Sequence, residues 1–270
     1  AALTSAVAQE AALKAFACTV PAGLSPPLIT SEGGATGYEE DTPLLSRLTL
    51  GFDQDARIAL LGMNGQGKTV LAKLLSDRRP LMTGKAVRSN KLRIGFFAQH
   101  QVEELQLDET PLQHMTAARA GVMPSKLRAE LAGFGLGPDQ ADTEVRRLSG
   151  GQKARPSLLL ATLHAPHLLI LDEPTNHLDI ESREALVEAL AKYQGAVILV
   201  SHDMHLLSMV ADRLWLVSNG SVKPYEDDLE AYRALLLAPA KSADQPKKPT
   251  APKPKRASRE DIPALRPAVC

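Results

Sequence analysis

Apolar and polar positions along the chain follow two periods in alternation. Residues 57–61 are a short continuous apolar run closed by Gly62, the pattern of a buried strand, and residues 68–76 then recur at helical spacing. Residues 168–171 and 196–200 are further runs of strand length, the second of β-branched character, and residues 181–193 between them read as an amphipathic helix. Residues 214–217 and 221–225 flank Asn219-Gly220, a strong hairpin turn signal, and residues 229–237 close as a helix. Helical periodicity dominates residues 108–148, with breaks at Gly121, Pro124 and residues 133–138, while residues 91–98 predict an edge strand paired with residues 86–89. Strands that alternate with helices in this way predict an α/β fold with a parallel sheet covered on both faces.

The two ends read differently. Residues 1–17 have a helical composition, but Pro21, Pro26, Pro27, Gly33, Gly34 and Gly37 interrupt the stretch after it, so residues 1–37 are expected to be poorly ordered and the compact domain to span 38–237. The segment 238–270 holds seven prolines and eight Lys or Arg against three acidic residues, with almost no large apolar side chain. Such a segment buries too little surface to offset its ordering entropy and is expected to be disordered, as a solvated linker or as a basic arm for RNA.

Composition narrows the classes. Lys plus Arg and Asp plus Glu both number 31, so the chain does not grip nucleic acid by bulk charge. Cys18 and Cys270 alone make neither a disulfide framework nor a zinc ribbon, and fit a reducing cytoplasm. No apolar run reaches the roughly 18–20 residues of a membrane span, and no secretory signal is visible. The first residue is Ala1 rather than Met, which points to a fragment or a trimmed chain.

Three motifs carry candidate chemistry. Gly62-Met63-Asn64-Gly65-Gln66-Gly67-Lys68-Thr69 fits the phosphate-loop pattern, with a strand before it and a helix after it. The glycines let backbone N–H groups face inward, the helix dipole adds positive potential, Lys68 reaches the β- and γ-phosphates, and the Thr69 hydroxyl suits Mg²⁺. Asp172 and Glu173 end the apolar run 168–171. One carboxylate there suits Mg²⁺ and the next suits orienting or deprotonating water, although adjacent acids can also simply cap the next segment. Ser149-Gly150-Gly151-Gln152 opens a helical stretch, with Ser149 a natural N-cap and two glycines that allow close anion approach.

In order, these motifs, Gln99 and Ser201-His202-Asp203 resemble an ABC-type nucleotide-binding domain over nearly all of residues 38–237. The strings Ser149-Gly-Gly-Gln-Lys153-Ala-Arg155 and Asp172-Glu173-Pro-Thr-Asn-His-Leu-Asp179 resemble, more narrowly, the second such domain of the ABC-F subfamily, soluble ATPases that act on ribosomes. The resemblance implies a P-loop core with a parallel sheet, an antiparallel β subdomain and a small helical subdomain. It implies ATP and Mg²⁺ as ligands, with Thr69, Gln99 and Asp172 at the metal. It implies that Glu173 is the catalytic base, that Gln99 senses Mg²⁺ and the γ-phosphate, that His202 contacts the γ-phosphate, and that Tyr38 stacks on adenine; a turn tyrosine is the plainer reading of Tyr38. It further implies that the Ser149–Gln152 segment and Asp179 serve a second ABC domain across a dimer interface, so that one chain holds two half-sites. The partners implied are that second domain, from a homodimer or a missing half, and the ribosome with its RNA, with no membrane insertion. The core motifs fit two other readings, the energising subunit of a membrane transporter and a nucleotide-dependent binding module with weak catalysis.

Ser201-His202-Asp203 does not read as a hydrolase triad, because neighbouring strand residues point to opposite faces. His164 with His167, and His202 with His205, have metal-like spacings but no cysteine or third ligand close in sequence. Pro156, inside the predicted helix after Ser149, is expected to kink or weaken it at a cost of about 3 kcal/mol.

Overall fold

The computed structural model of the protein describes residues 24, 26–39, 42–98, 105–176 and 178–237. The chain begins with β1 (Ile29–Glu39), β2 (Thr42–Phe52), β3 (Arg57–Leu61), α1 (Lys68–Leu75), β4 (Thr83–Arg88) and β5 (Ile94–Ala98). Then come α2 (Pro111–Ala118), α3 (Pro124–Gly133), α4 (Pro138–Ala141), a 3-10 turn at Val145–Arg147 and α5 (Gly150–Thr162). The last part is β6 (Leu168–Asp172), α6 (Ile180–Lys192), β7 (Ala196–Val200), α7 (Met204–Val210), β8 (Arg213–Ser218), β9 (Ser221–Pro224) and α8 (Leu229–Leu237).

The apolar runs become one six-stranded sheet in the order β5-β6-β7-β3-β8-β9, parallel except for β9. Every residue of β6 and β7 is buried, as expected where helices cover both faces. The period of two sorts their side chains. Leu168, Ile170, Ile198, Ile58 and Leu60 join one core with α1, β1 and β2, and Leu169, Leu171, Val197, Leu199 and Leu61 join the other with α5, α6 and α7. Full burial of each such side chain is worth about 1.5–3 kcal/mol. The expected α/β class holds, and among the described residues no helix is long and apolar enough to cross a membrane.

Two expectations fail. The compact unit begins before residue 38: Leu28 and Ile29 are buried, and β1 centres a three-stranded antiparallel sheet, β2-β1-β4. The glycines that read as breakers sit at bulges, where the β1–β2 register shifts at Gly34 and Gly37. Residues 94–98 do not pair with 86–89. β5 lies parallel to β6, with Ile94 opposite Leu168 and Ala98 opposite Asp172, while β4 pairs with β1. The cause is burial on both faces, since Phe96 enters one core and Phe97 the other. Pro156 lies inside α5, which runs on for 13 residues and does not end there. The ring removes only the amide that would bond to the Gln152 carbonyl, and it is buried with Ala154, Leu158 and Leu159 on the same helix. Residues 1–17, the tail 238–270 and Gln99 lie outside the described residues.

Candidate functional site

Parallel strands deliver their C-terminal ends to one edge of the sheet, where α/β folds take ligands. β3, β7 and β6 are neighbours, so the loop after Leu61, the Ser201-His202 segment and Asp172-Glu173 meet there. The phosphate loop turns through left-handed backbone at Gly62, Gly65 and Gly67, with φ of 147°, 80° and 103°. A Cβ on Gly62 would lie 2.4 Å from the Val217 carbonyl oxygen, so close approach to β8 enforces glycine there as well. A Cβ on Gly65 would meet nothing within 4 Å, which leaves that side of the loop backbone open to a ligand. Asn64 and Met63 are exposed on the loop, and Gln66 accepts a 3.1 Å hydrogen bond from the Asn219 amide of the β8–β9 turn.

Lys68 is buried, and its ammonium donates to the carbonyls of Gly62 and Met63 at 2.6 and 3.2 Å. Burial lowers its pKa, while the Glu173 and Asp172 carboxylates pull it back up. Glu173 adopts φ 53° at the end of the β6 run, and its amide donates to the Val200 carbonyl at 2.7 Å. A left-handed conformation on a non-glycine residue is costly, of order 1–3 kcal/mol, and such outliers cluster at working sites. Burial also pushes the Glu173 carboxyl up; His202 opposes this and the Asp172 charge adds to it. The His202 Nε2 lies 3.5 Å from Glu173 Oε1 and 3.1 Å from Asn64 Oδ1. Histidine, base candidate and phosphate loop are therefore one connected cluster.

The neighbouring Asp203 plays no part in a triad. Its carboxylate caps α7, accepting from the His205 and Leu206 amides at 3.0 and 3.1 Å. His167 accepts the Arg93 amide at 3.0 Å and so ties β5 to β6.

The second glycine motif stands elsewhere. Ser149 caps α5 through a reciprocal pair, accepting the Gln152 amide at 3.3 Å while Gln152 Oε1 accepts the Ser149 amide at 3.0 Å. Ser149, Gly150, Gly151, Gln152, Arg155 and Asp179 line a depression of about 440 Å³. Gly62, Lys68 and His202 line a different one. The structure thus places Gly62, Lys68 and His202 in one set and Ser149, Gly150, Gly151, Gln152 and Asp179 in another. Asp179 also caps α6, and hydrogen bonds from Ser182 hold its carboxyl below the usual range, with Arg155 adding to the effect. Tyr38 is exposed, with the Arg79 guanidinium 5.1 Å from its ring centroid.

One contact has no counterpart among the sequence motifs. The Tyr232 hydroxyl of α8 accepts the Gly62 amide at 2.8 Å and so fastens the last described helix to the first residue of the loop. A buried tyrosine seeks a partner for its hydroxyl, but no local pattern identifies which one.

A loop of this geometry, an acidic strand end and a separate Ser-Gly-Gly-Gln helix start define an ABC-type ATPase domain. A family profile described as ABC transporter matches residues 45–176. The chain is 42% identical over 230 residues to the "Probable ATP-binding protein YheS" of Escherichia coli (strain K12), covering 85% of this chain and 36% of that one. It is 41% identical to "ABC transporter F family member 3" of Arabidopsis thaliana, covering 78% and 30% respectively. With "Protein GCN20" of Saccharomyces cerevisiae it shares 38% identity, covering 83% and 30%. Residues 45–176 thus carry an ABC domain, ABC-F members are among the relatives of the chain, and the chain spans about a third of the length of the curated relatives it matches. Among solved structures, the dimeric ATP-binding cassette MJ0796 in a post-hydrolysis state bound to ADP and Pi shares its fold at TM-score 0.62 and 20% identity, over 73% of this chain and 97% of that one. A bacterial Atm1-family ABC exporter with ATP bound does so at TM-score 0.68 and 21% identity, over 84% and 45%.

Proposed function

We propose that this chain is one ATP-hydrolysing half of an ABC-F protein, matching its second nucleotide-binding domain, which works in the cytoplasm on the ribosome. The observation that carries the reading is the separation of the two residue sets on one chain. Neither set alone surrounds a nucleotide. A second ABC domain, whether another copy or a different domain, would lay its own Ser-Gly-Gly-Gln helix start and matching aspartate over the phosphate loop of this one.

In that composite site the loop amides and Lys68 hold the β- and γ-phosphates, and Tyr38 stacks on the adenine. Among the described residues no cluster of three His, Cys, Asp or Glu side chains could hold a metal alone. Thr69 and Asp172 offer the hard oxygen donors that suit Mg²⁺ shared with phosphates and water, with Gln99 beside them in the family pattern. The metal would neutralise charge on the transferring phosphoryl group. Glu173 takes a proton from the attacking water, and His202, beside it, contacts the γ-phosphate. The ribosomal role rests on kinship to ABC-F proteins and on the Asp172–Asp179 string.

The test is ATP hydrolysis by the purified chain over a range of protein concentration. Specific activity should rise with concentration as two chains complete each other's sites, and the chain should pellet with ribosomes in ATP. Tight ATP binding with flat, near-zero turnover would place the catalytic partner on another polypeptide; no ribosome association would favour the transporter reading.

The burial of Glu173 sets a pH profile. A base works only when ionised, and raising its pKa carries the protonated form to higher pH. Turnover should therefore fall on the acid side at a pH above the ordinary carboxylate range. A kcat profile that stays flat down to that range would remove Glu173 from the role.

A further inference from the structure

Arg155 joins its own helix to two other segments at once. Its Nη1 donates to the Gly135 carbonyl at 2.7 Å, in the loop after α3. Its Nη2 donates to Ser182 Oγ at 2.7 Å and to Asp179 Oδ2 at 3.3 Å, both at the start of α6. Gly135 has φ 74°, a left-handed backbone that favours glycine, and a Cβ there would come within 2.8 Å of Nη1. Arg155 sits in the second turn of α5, on the wall of the depression that Ser149, Gly150, Gly151 and Gln152 line. A planar fork with five donors can join three acceptors; a lysine ammonium offers one point charge.

We propose that Arg155 is a positioning residue that locks the Ser149–Gln152 helix start to Asp179 and to the helical layer. These groups then meet a nucleotide as one rigid unit. Because that unit faces a partner's phosphate loop, Arg155 governs turnover at the partner's site and not ATP binding at its own. This rests on the two-chain reading of the function.

The experiment mixes variants of the full chain. Arg155→Ala alone should bind ATP with a Kd within about twofold of wild type, yet lose about 10- to 100-fold in turnover, the scale of small misplacements around reacting groups. Arg155→Lys should recover only part of the loss, because it keeps the charge and not the fork. Mixed one to one with Lys68→Ala, the Arg155→Ala chain should regain activity toward about a quarter of wild type, since half the dimers then hold one intact site of two. Gly151→Asp mixed with Lys68→Ala is the control for that gain. Recovery in the control without recovery for Arg155→Ala would overturn the proposal and leave the two-chain reading standing. Failure of both mixtures would overturn the two-chain reading and the proposal with it. A Kd for ATP weakened tenfold or more in Arg155→Ala alone would place the arginine at its own site and also overturn the proposal.

Discussion

Glu173→Gln should lower ATP hydrolysis by about 10²–10⁴-fold while ATP binding persists, the range that a positioned general base contributes. The amide is nearly isosteric and keeps the contact with the His202 backbone amide, 3.4 Å away in the native chain. It cannot accept a proton. The left-handed backbone at Glu173, tied by its amide to Val200, is set by the β6–β7 ladder rather than by the carboxylate, so the variant should hold its geometry. With chemistry blocked, the ATP-bound state accumulates. Single-turnover hydrolysis alongside nucleotide binding checks both halves of the expectation, and unchanged turnover would sink the assignment of the base.

Lys68→Ala should weaken ATP binding by about 10- to 150-fold, the equivalent of the roughly 1.5–3 kcal/mol of a charge-assisted hydrogen bond. The ammonium is already seated by the Gly62 and Met63 carbonyls, so little ordering remains to be done when phosphate arrives. Its removal also leaves Asp172 and Glu173 without the cation between them and the loop, so that two carboxylates repel an incoming polyanion. The ATP-induced rise in melting temperature should shrink accordingly. An unaltered Kd would mean that the loop does not recognise phosphate.

The features legible in the sequence are the local ones. Gly62, Gly65 and Gly67 lie within six residues and answer to backbone angles that only glycine takes easily, so the loop announces itself. β6 and β7 are continuous apolar runs because both faces are covered, and the β8–β9 turn carries its own signal at Asn219-Gly220. β1 is illegible for the opposite reason. Gly34 and Gly84 allow β1 and β4 to approach so closely that a Cβ on Gly84 would fall 2.6 Å from the Gly34 Cα. In a linear reading Gly34 looks like the end of order. Phe96 and Phe97 look like part of an edge strand because nothing in five residues tells an edge partner from a layer of helices. Arg155 and Tyr232 find their partners across 20 to 170 residues, where no short pattern reaches.

The two depressions carried by one chain have a consequence in symmetry. On the two-chain reading, a chain that carries both a loop and its complementary helix start would satisfy them isologously, each copy giving what it takes, and sites would close in pairs about a two-fold axis. A head-to-tail pairing of the same patches would leave one loop and one helix start open at the ends and invite rings or filaments. Bound nucleotide would then count in twos, and its release from one site would loosen the geometry of the other.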